Sequence, residues 1–215
     1  MEHASIAAFA RFALQLLSVG APPDLIVATQ RAMADETRHA QLAFGLASAY
    51  AGRDLGPGPL SIDACLDATD LRALVATVFA EGCIGETLAA VEAREALEHA
   101  CDPAVRAVLE TIAVDETRHA ELAWRTIAWA IATGGQGVRD AIEAAITQEG
   151  ARVRGEMGAD AFDAPNDREM LAHGLVSSGR RQQLRLATLA ELVAPCARTL
   201  LAETRSAHNE SATQV

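Results

Sequence analysis

Apolar residues recur along the chain at the three- and four-residue spacing of helices that each bury one face. Ile6, Phe9, Phe12, Ala13, Leu16 and Leu17 form one such stripe, continuing back to Glu2. A second runs through Ile26, Thr29, Met33, Glu36, His39, Ala40, Ala43 and Ala47. The third passes through Leu74, Val78, Glu81, Gly85, Leu88 and Val91, and the fourth through Val105, Val108, Ile112, Glu116, His119, Ala123 and Ile127. Pro22 and Pro23 separate the first pair, and Cys101-Asp102-Pro103 the second, because proline stops a helix from within but suits its first turn. The pattern predicts helices over about 1–19, 23–51, 69–99 and 103–133, arranged as two helical hairpins. The Gly- and Pro-rich stretch from Gly52 to Leu60, running on to about Asp67, is the crossover between them.

Beyond Thr133-Gly134-Gly135 a further amphipathic stretch covers 137–154, with Val138, Ile142, Ile146 and Val153. Gly155 to Asn166 reads as a loop, and Ser178 to Ala202 as a last helix interrupted near Pro195. Residues 205–215 are small and polar and are expected to be disordered. The expected organisation is therefore a helical bundle over 1–133, a helical extension over 134–204 packed on it, and a short tail.

The second and fourth stripes carry charge where the pattern asks for apolar residues. Asp-Glu-Thr-Arg-His-Ala occurs at 35–40 and again at 115–120, so each helix holds a Glu-x-x-His unit. Positions i and i+3 lie about 60° apart around a helix, which lets carboxylate and imidazole grip one ion. Glu2 precedes Glu36 by 34 residues and Glu81 precedes Glu116 by 35. At about 1.5 Å of rise per residue these lone glutamates meet the Glu-x-x-His units at one level. The expected ligand set is Glu2, Glu36, His39, Glu81, Glu116 and His119, and an outward-turned Glu2 or Glu81 would contradict it. Glu2 sits on a first turn that would fray. The expectation is that the chain extends upstream of Met1 or that later residues cover the open end.

Two lone glutamates plus two Glu-x-x-His units form the ligand pattern of di-iron and di-manganese carboxylate sites in bundle cores. Through these residues the chain resembles the ferritin-like superfamily, which includes rubrerythrins, ferritins, fatty-acyl desaturases and bacterial multicomponent monooxygenases. The resemblance spans roughly residues 1–133. It implies an all-α fold, an antiparallel four-helix bundle of ferritin-like type with additional C-terminal helices. It also implies two iron ions, with manganese an alternative at one or both positions, bridged by Glu36 and Glu116. His39 and His119 would each cap one ion, with Glu2 and Glu81 as terminal carboxylates. By the same likeness, Asp35 and Asp115 orient the histidines, and Arg38 and Arg118 steady those acids. Rubrerythrin-like chains often carry an extra cysteine-ligated iron module. Here Cys65, Cys83, Cys101 and Cys196 are scattered and form no Cys-x-x-Cys pair, so an external electron donor is implied.

The donor chemistry agrees with that metal. Oxygen and imidazole suit iron or manganese, whereas the lack of thiolates disfavours structural zinc. Four carboxylates balance two divalent ions, which keeps the reduced site close to neutral in a low-dielectric core. Oxidising both ions adds two positive charges that oxygen-derived anions offset, which favours a two-electron reaction with dioxygen or peroxide. Without metal the acids repel one another, so their pKa values should rise and the fold should loosen.

Other positions carry weaker readings. Glu86, five residues after Glu81, points about 140° away around an α-helix and is at most an extra ligand or an access-path carboxylate. A glycine inside a helix costs about 1 kcal/mol against alanine, so Gly82 and Gly85 mark either close packing or, at Gly85, a pocket beside the metals for dioxygen or substrate. His3, His99 and His173 have no partner spacing and read as surface or packing residues.

Composition narrows the function further. With 215 residues, 50% hydrophobic and 22% charged, the chain is long enough to bury a dry metal site. Its net charge of −11 disfavours a nucleic-acid partner. No uncharged apolar run of spanning length and no leader is seen, so no membrane partner and a cytoplasmic location are expected. A homodimer is compatible with these features. The function expected first is an oxidoreductase that activates dioxygen or peroxide, with an external electron donor and a small organic substrate. The alternative is an iron-binding or iron-storage protein with ferroxidase activity and no organic substrate. The extra C-terminal helices favour the enzyme, since a minimal storage subunit does not need them. A third reading is a helical interaction protein with a structural metal.

Overall fold

The computed structural model describes residues 2–63, 65–66, 69–156 and 166–202, and every regular element among them is helical. Helix α1 spans Glu2–Ser18 and α2 spans Pro23–Ala51. Pro23 occupies the first turn of α2, where its missing N–H costs nothing, and Gly52 ends the helix at φ 63°, a left-handed conformation that glycine adopts without strain. After the crossover, Asp70 caps α3, Leu71–Thr77, by accepting from the backbone N–H groups of Arg72 and Ala73 at 2.9 and 3.0 Å. The rod then widens into a π-helical segment, Val78–Glu86, and continues without a break as α4, Thr87–His99. Asp102 accepts from the Ala104 N–H at 2.7 Å and starts α5, Pro103–Glu156. Each of the four expected helices starts within about two residues of its expected position.

The expected break at Thr133-Gly134-Gly135 is a bend rather than an end. Gly135 stands at φ 62°, ψ −152° inside α5, and residues 136–156 continue as a second arm. Past it lie α6, Asp167–Ala172, and α7, Ser178–Thr188, whose start Ser177 caps by accepting from the Arg180 N–H at 3.2 Å. The interruption expected near Pro195 takes the form of a second π-helical segment, Leu189–Val193, after which the chain stays helical to residue 202. Proline lacks an N–H and its ring crowds the carbonyl four residues back; a wider turn immediately before it absorbs both effects. The expected loop over 155–166 falls mostly, and the 205–215 tail entirely, outside the described residues.

Helix α1 packs on α2, the α3–π–α4 rod packs on α5, and α2 joins the two hairpins by packing on α5. Leu16, Leu25, Leu74, Val75, Phe79, Ile127 and Ile131 fill the shared core. Val138 and Ile142 from the second arm, with Val193, Ala197 and Leu201, belong to the same cluster, so the C-terminal helices extend this core. Arg181 Nε donates to Glu92 at 2.7 Å and Arg180 Nε to Glu95 at 2.9 Å, tying α7 to α4. The run Leu71–His99 is long and apolar enough, by length and composition, to cross a membrane, which departs from the sequence expectation. Leu74, Val75, Val78, Phe79, Cys83, Ile84 and Leu88 on this run face the protein core.

Gly82 is a packing glycine. A Cβ there would lie 2.5 Å from the Ala123 Cβ on α5, and neither atom can rotate away. Gly45, exposed on α2, would meet nothing within 4 Å. Gly82→Ala should therefore lose about 1–3 kcal/mol of stability, while Gly45→Ala should gain up to about 1 kcal/mol. Denaturant midpoints of the two variants check the contrast.

Candidate metal centre

Helices α2 and α5 each present their Glu-x-x-His unit inward at the same level. Glu36 is 1% exposed, and His39, Glu116 and His119 are equally buried. The imidazoles face one another with ring centroids 6.0 Å apart. His39 Nδ1 lies 3.8 Å from Glu36 Oε1 and 3.5 Å from Glu116 Oε1. His119 Nδ1 lies 3.2 Å from Glu36 Oε1 and 3.3 Å from Glu116 Oε2. Each nitrogen thus addresses both carboxylates, its own helix's and the other's. Phe9 of α1 closes one side, edge-on to His119 at 5.0 Å.

The far ring nitrogens are held crosswise. His39 Nε2 contacts Asp115 Oδ2 at 3.0 Å, and His119 Nε2 contacts Asp35 Oδ2 at 3.4 Å, so each acid serves the histidine of the opposite hairpin. Arg118 bridges Asp35 at 3.0 Å and Asp115 at 2.6 Å, while Arg38 pairs with Asp115 and, at 3.3 Å, with Asp35. This closed ring of two acids and two guanidinium groups fixes the ring angles of both histidines and clamps α2 to α5. Asp35 and Asp115 thus each contact a histidine of the other hairpin.

The two lone glutamates behave differently. Glu2 joins the cluster: one donor atom each from Glu2, Glu36, His39 and Glu116 lie within 4.8 Å of one another. Glu81 does not. Its side chain is 53% exposed and forms an ion pair with Arg11 of α1. The fourth carboxylate is Glu86, which forms a second set with Glu36, Glu116 and His119 inside the same 4.8 Å limit. That corrects the ligand expected from spacing, and the cause is the π-helical segment. A turn with five-residue hydrogen bonds holds more residues than an α-turn, so the 140° separation computed for a regular helix does not apply.

A signal for this was present in the sequence. Thirteen residues separate Glu86 from His99 and Pro103 from Glu116, placing those two glutamates at equal heights above their turn. Matching Glu81 to Glu2 by residue count missed this.

The charges in the cluster divide into two classes. Burial opposes ionisation of Glu36 and Glu116, but the two imidazoles outweigh it and hold both carboxyls below their usual range. Burial likewise opposes the imidazolium forms, yet the surrounding carboxylates push His39 up to about 10 and His119 up to about 9. Glu2 and Glu86 are raised, first by burial and then by Glu36 and Glu116. Within the cluster, Glu36 Oε2 and His39 Nδ1 are buried without a hydrogen bond, the nearest carboxylate oxygen to His39 Nδ1 standing 3.5 Å away. Such orphans carry a free-energy cost that a cation between them would remove. The donor set therefore fits hard or borderline divalent ions.

An open-sided cavity of about 1250 Å³ runs between α1, the π-helical segment, α4 and α5, and Glu2, Glu86, Glu116 and His119 are among the residues that line it. Gly85 lines it. His173, read as an ordinary residue, contacts Tyr50 at 3.2 Å on the surface, and His3 lies outside the cluster. No protein-family model, curated protein or solved structure matches this chain.

Glu86 supplies a pH test on metal-free protein. A carboxyl with a raised folded-state pKa favours folding at low pH and loses that contribution as pH rises above the ordinary value of 4.5. Glu86→Gln keeps a donor toward Glu116 but cannot ionise. The variant should match the parent near pH 4 and exceed its stability by roughly 1–3 kcal/mol at pH 8. Thermal melts across that range check it.

Proposed function

We propose that the two hairpins form a ferritin-like four-helix bundle binding two divalent ions, and that the protein is an oxidoreductase that activates dioxygen or peroxide there. The observation carrying this reading is the pair of overlapping four-residue sets, Glu2/Glu36/His39/Glu116 and Glu36/Glu86/Glu116/His119. Sharing Glu36 and Glu116 is what two bridging carboxylates require, and each ion then has one histidine and one terminal glutamate. Iron is the expected metal, with manganese an alternative.

Charge balance supports the same reading. Protons on the two imidazoles, with those favoured on Glu2 and Glu86, hold up to four positive charges in the metal-free cluster. Two divalent ions bring the same charge, so metal can replace protons without leaving net charge in the core. When bound, such ions supply the electrons and the Lewis acidity for reducing dioxygen or peroxide. Asp115 and Asp35, accepting the Nε2–H of His39 and His119, would leave each Nδ1 free to hold an ion. Phe9 packs edge-on against His119, and Glu86 lines the cavity. Without a Cys-x-x-Cys module in the chain, electrons come from an external donor, in a cytoplasmic setting.

Iron storage with ferroxidase activity is the second reading, and the cavity is the observation against it. Fe(II) oxidation alone needs a narrow hydrophilic path, whereas this cavity is wide and carries many apolar residues on its wall, among them Phe9, Phe12, Leu14, Leu88, Ile112 and Leu122.

Anaerobic titration with Fe(II) should saturate at two ions per chain and release between two and four protons near pH 7. Glu81→Ala should leave that stoichiometry unchanged, whereas Glu86→Ala should lower it. Asp115→Asn should weaken binding roughly 10- to 100-fold. Admitting oxygen or peroxide to the loaded protein should change its near-ultraviolet absorption. No metal uptake, or no spectral change, would contradict the reading, and a large hollow oligomer by size exclusion would favour storage.

A further inference from the structure

Gly82 and Gly85 lie one α-turn apart on the same segment, yet only one is explained by packing. A Cβ on Gly85 would meet nothing nearer than the Ala80 carbonyl oxygen at 3.7 Å, an ordinary contact. Its φ is not left-handed, so no turn requires glycine. Glycine inside a helix is less favourable than alanine, and here neither contact nor backbone offsets that. What the missing side chain provides is space: Gly85 lines the cavity next to Glu86.

Beyond the cluster, both arginines on the cavity wall are paired, Arg11 with Glu81 and Arg181 with Glu92 at 2.7 Å. An anionic ligand head would have to break one of these pairs, and a cationic head would find only the solvent-exposed Asp63 carboxylate, where an ion pair is worth little. Exposed Leu14, Leu60, Ile62 and Leu175 line the same cavity. Its volume exceeds what dioxygen or peroxide needs and passes the usual range for a drug-sized ligand.

We propose that this cavity is the substrate site for an uncharged, predominantly apolar organic molecule, and that Gly85 is the specificity-determining position that admits it beside Glu86. The proposal rests on the reading of the cluster as a redox metal centre, whose substrate class it names. Gly85 is not a ligand candidate; its contribution is room, and side chains placed there set how closely a molecule in the cavity approaches Glu86.

Binding of N-phenyl-1-naphthylamine, a neutral apolar fluorophore, tests this directly. Competition with 1-decanol, decanoate and decylammonium varies the head charge at constant chain length. The fluorophore should bind the parent, decanol should displace it, and both ionic chains should compete at least tenfold more weakly. Gly85→Leu should weaken fluorophore binding at least tenfold, whereas Gly85→Ala should retain it and melt above the parent. Equal competition by decanoate or decylammonium, unchanged binding to Gly85→Leu, or a lower melting temperature for Gly85→Ala would each overturn the proposal. The same titrations with and without two equivalents of Mn(II) separate the two readings. Fluorophore binding without metal uptake supports the cavity and removes the metal reading, and metal uptake without fluorophore binding overturns the cavity alone.

Discussion

Four carboxylates and two imidazoles packed into one low-dielectric space cannot all adopt their ordinary charge states. The cost of burying like charges sets the terms for everything around them. In the metal-free protein the conflict is resolved by protons: Glu36 and Glu116 stay ionised beside raised imidazoles, and Glu2 and Glu86 are driven toward neutrality. The resolution is incomplete, since Glu36 Oε2 has no hydrogen-bond partner and His39 Nδ1 comes no nearer to a carboxylate than 3.5 Å. The ring of Asp35, Asp115, Arg38 and Arg118 lies behind the imidazoles and closes across the two hairpins. Neither half can rotate without disturbing the other's histidine.

The π-helical segment is the second constraint. It lets one rod satisfy two demands that a regular helix would place in conflict. Gly82 must meet Ala123 at close range to seat the rod on α5, and Glu86 must still point at the Glu-x-x-His units. Widening the turn between them leaves Glu81 on the cavity wall with Arg11 and brings Glu86 to the cluster. Insertions of this kind recur at functional sites because they re-aim one side chain without moving the helix ends. The second such segment, before Pro195, answers a local backbone problem instead.

How much of this was legible in the sequence follows from which signals are local. Turn prolines and apolar periodicity marked the starts of all four helices, because both act within a few residues. The duplicated Glu-x-x-His units were legible for the same reason: fixed offsets on a regular helix determine which side chains share a face, whereas the crossing of Asp35 and Asp115 to the opposite histidines is set by how the two hairpins pack. Glu81 was misassigned because residue counting presumes a uniform rise and twist, and the π-helical segment breaks that uniformity. Counting back from the turns instead, thirteen residues from His99 to Glu86 and thirteen from Glu116 to Pro103, carried the correction. The bend at Gly135 differs again. Two adjacent glycines mark a break, but whether the chain stops or turns there is decided by the distant packing of Val138 and Ile142.

The central claim is that this cluster holds two ions bridged by Glu36 and Glu116, with Glu86 rather than Glu81 as the fourth carboxylate. Anomalous scattering from crystals grown anaerobically with Mn(II) tests it most directly. The account predicts two anomalous peaks, one beside each histidine, with Glu86 in contact and Glu81 still on Arg11. A single peak, no peak between Glu36 and Glu116, or Glu81 swung in to replace Glu86 would contradict it.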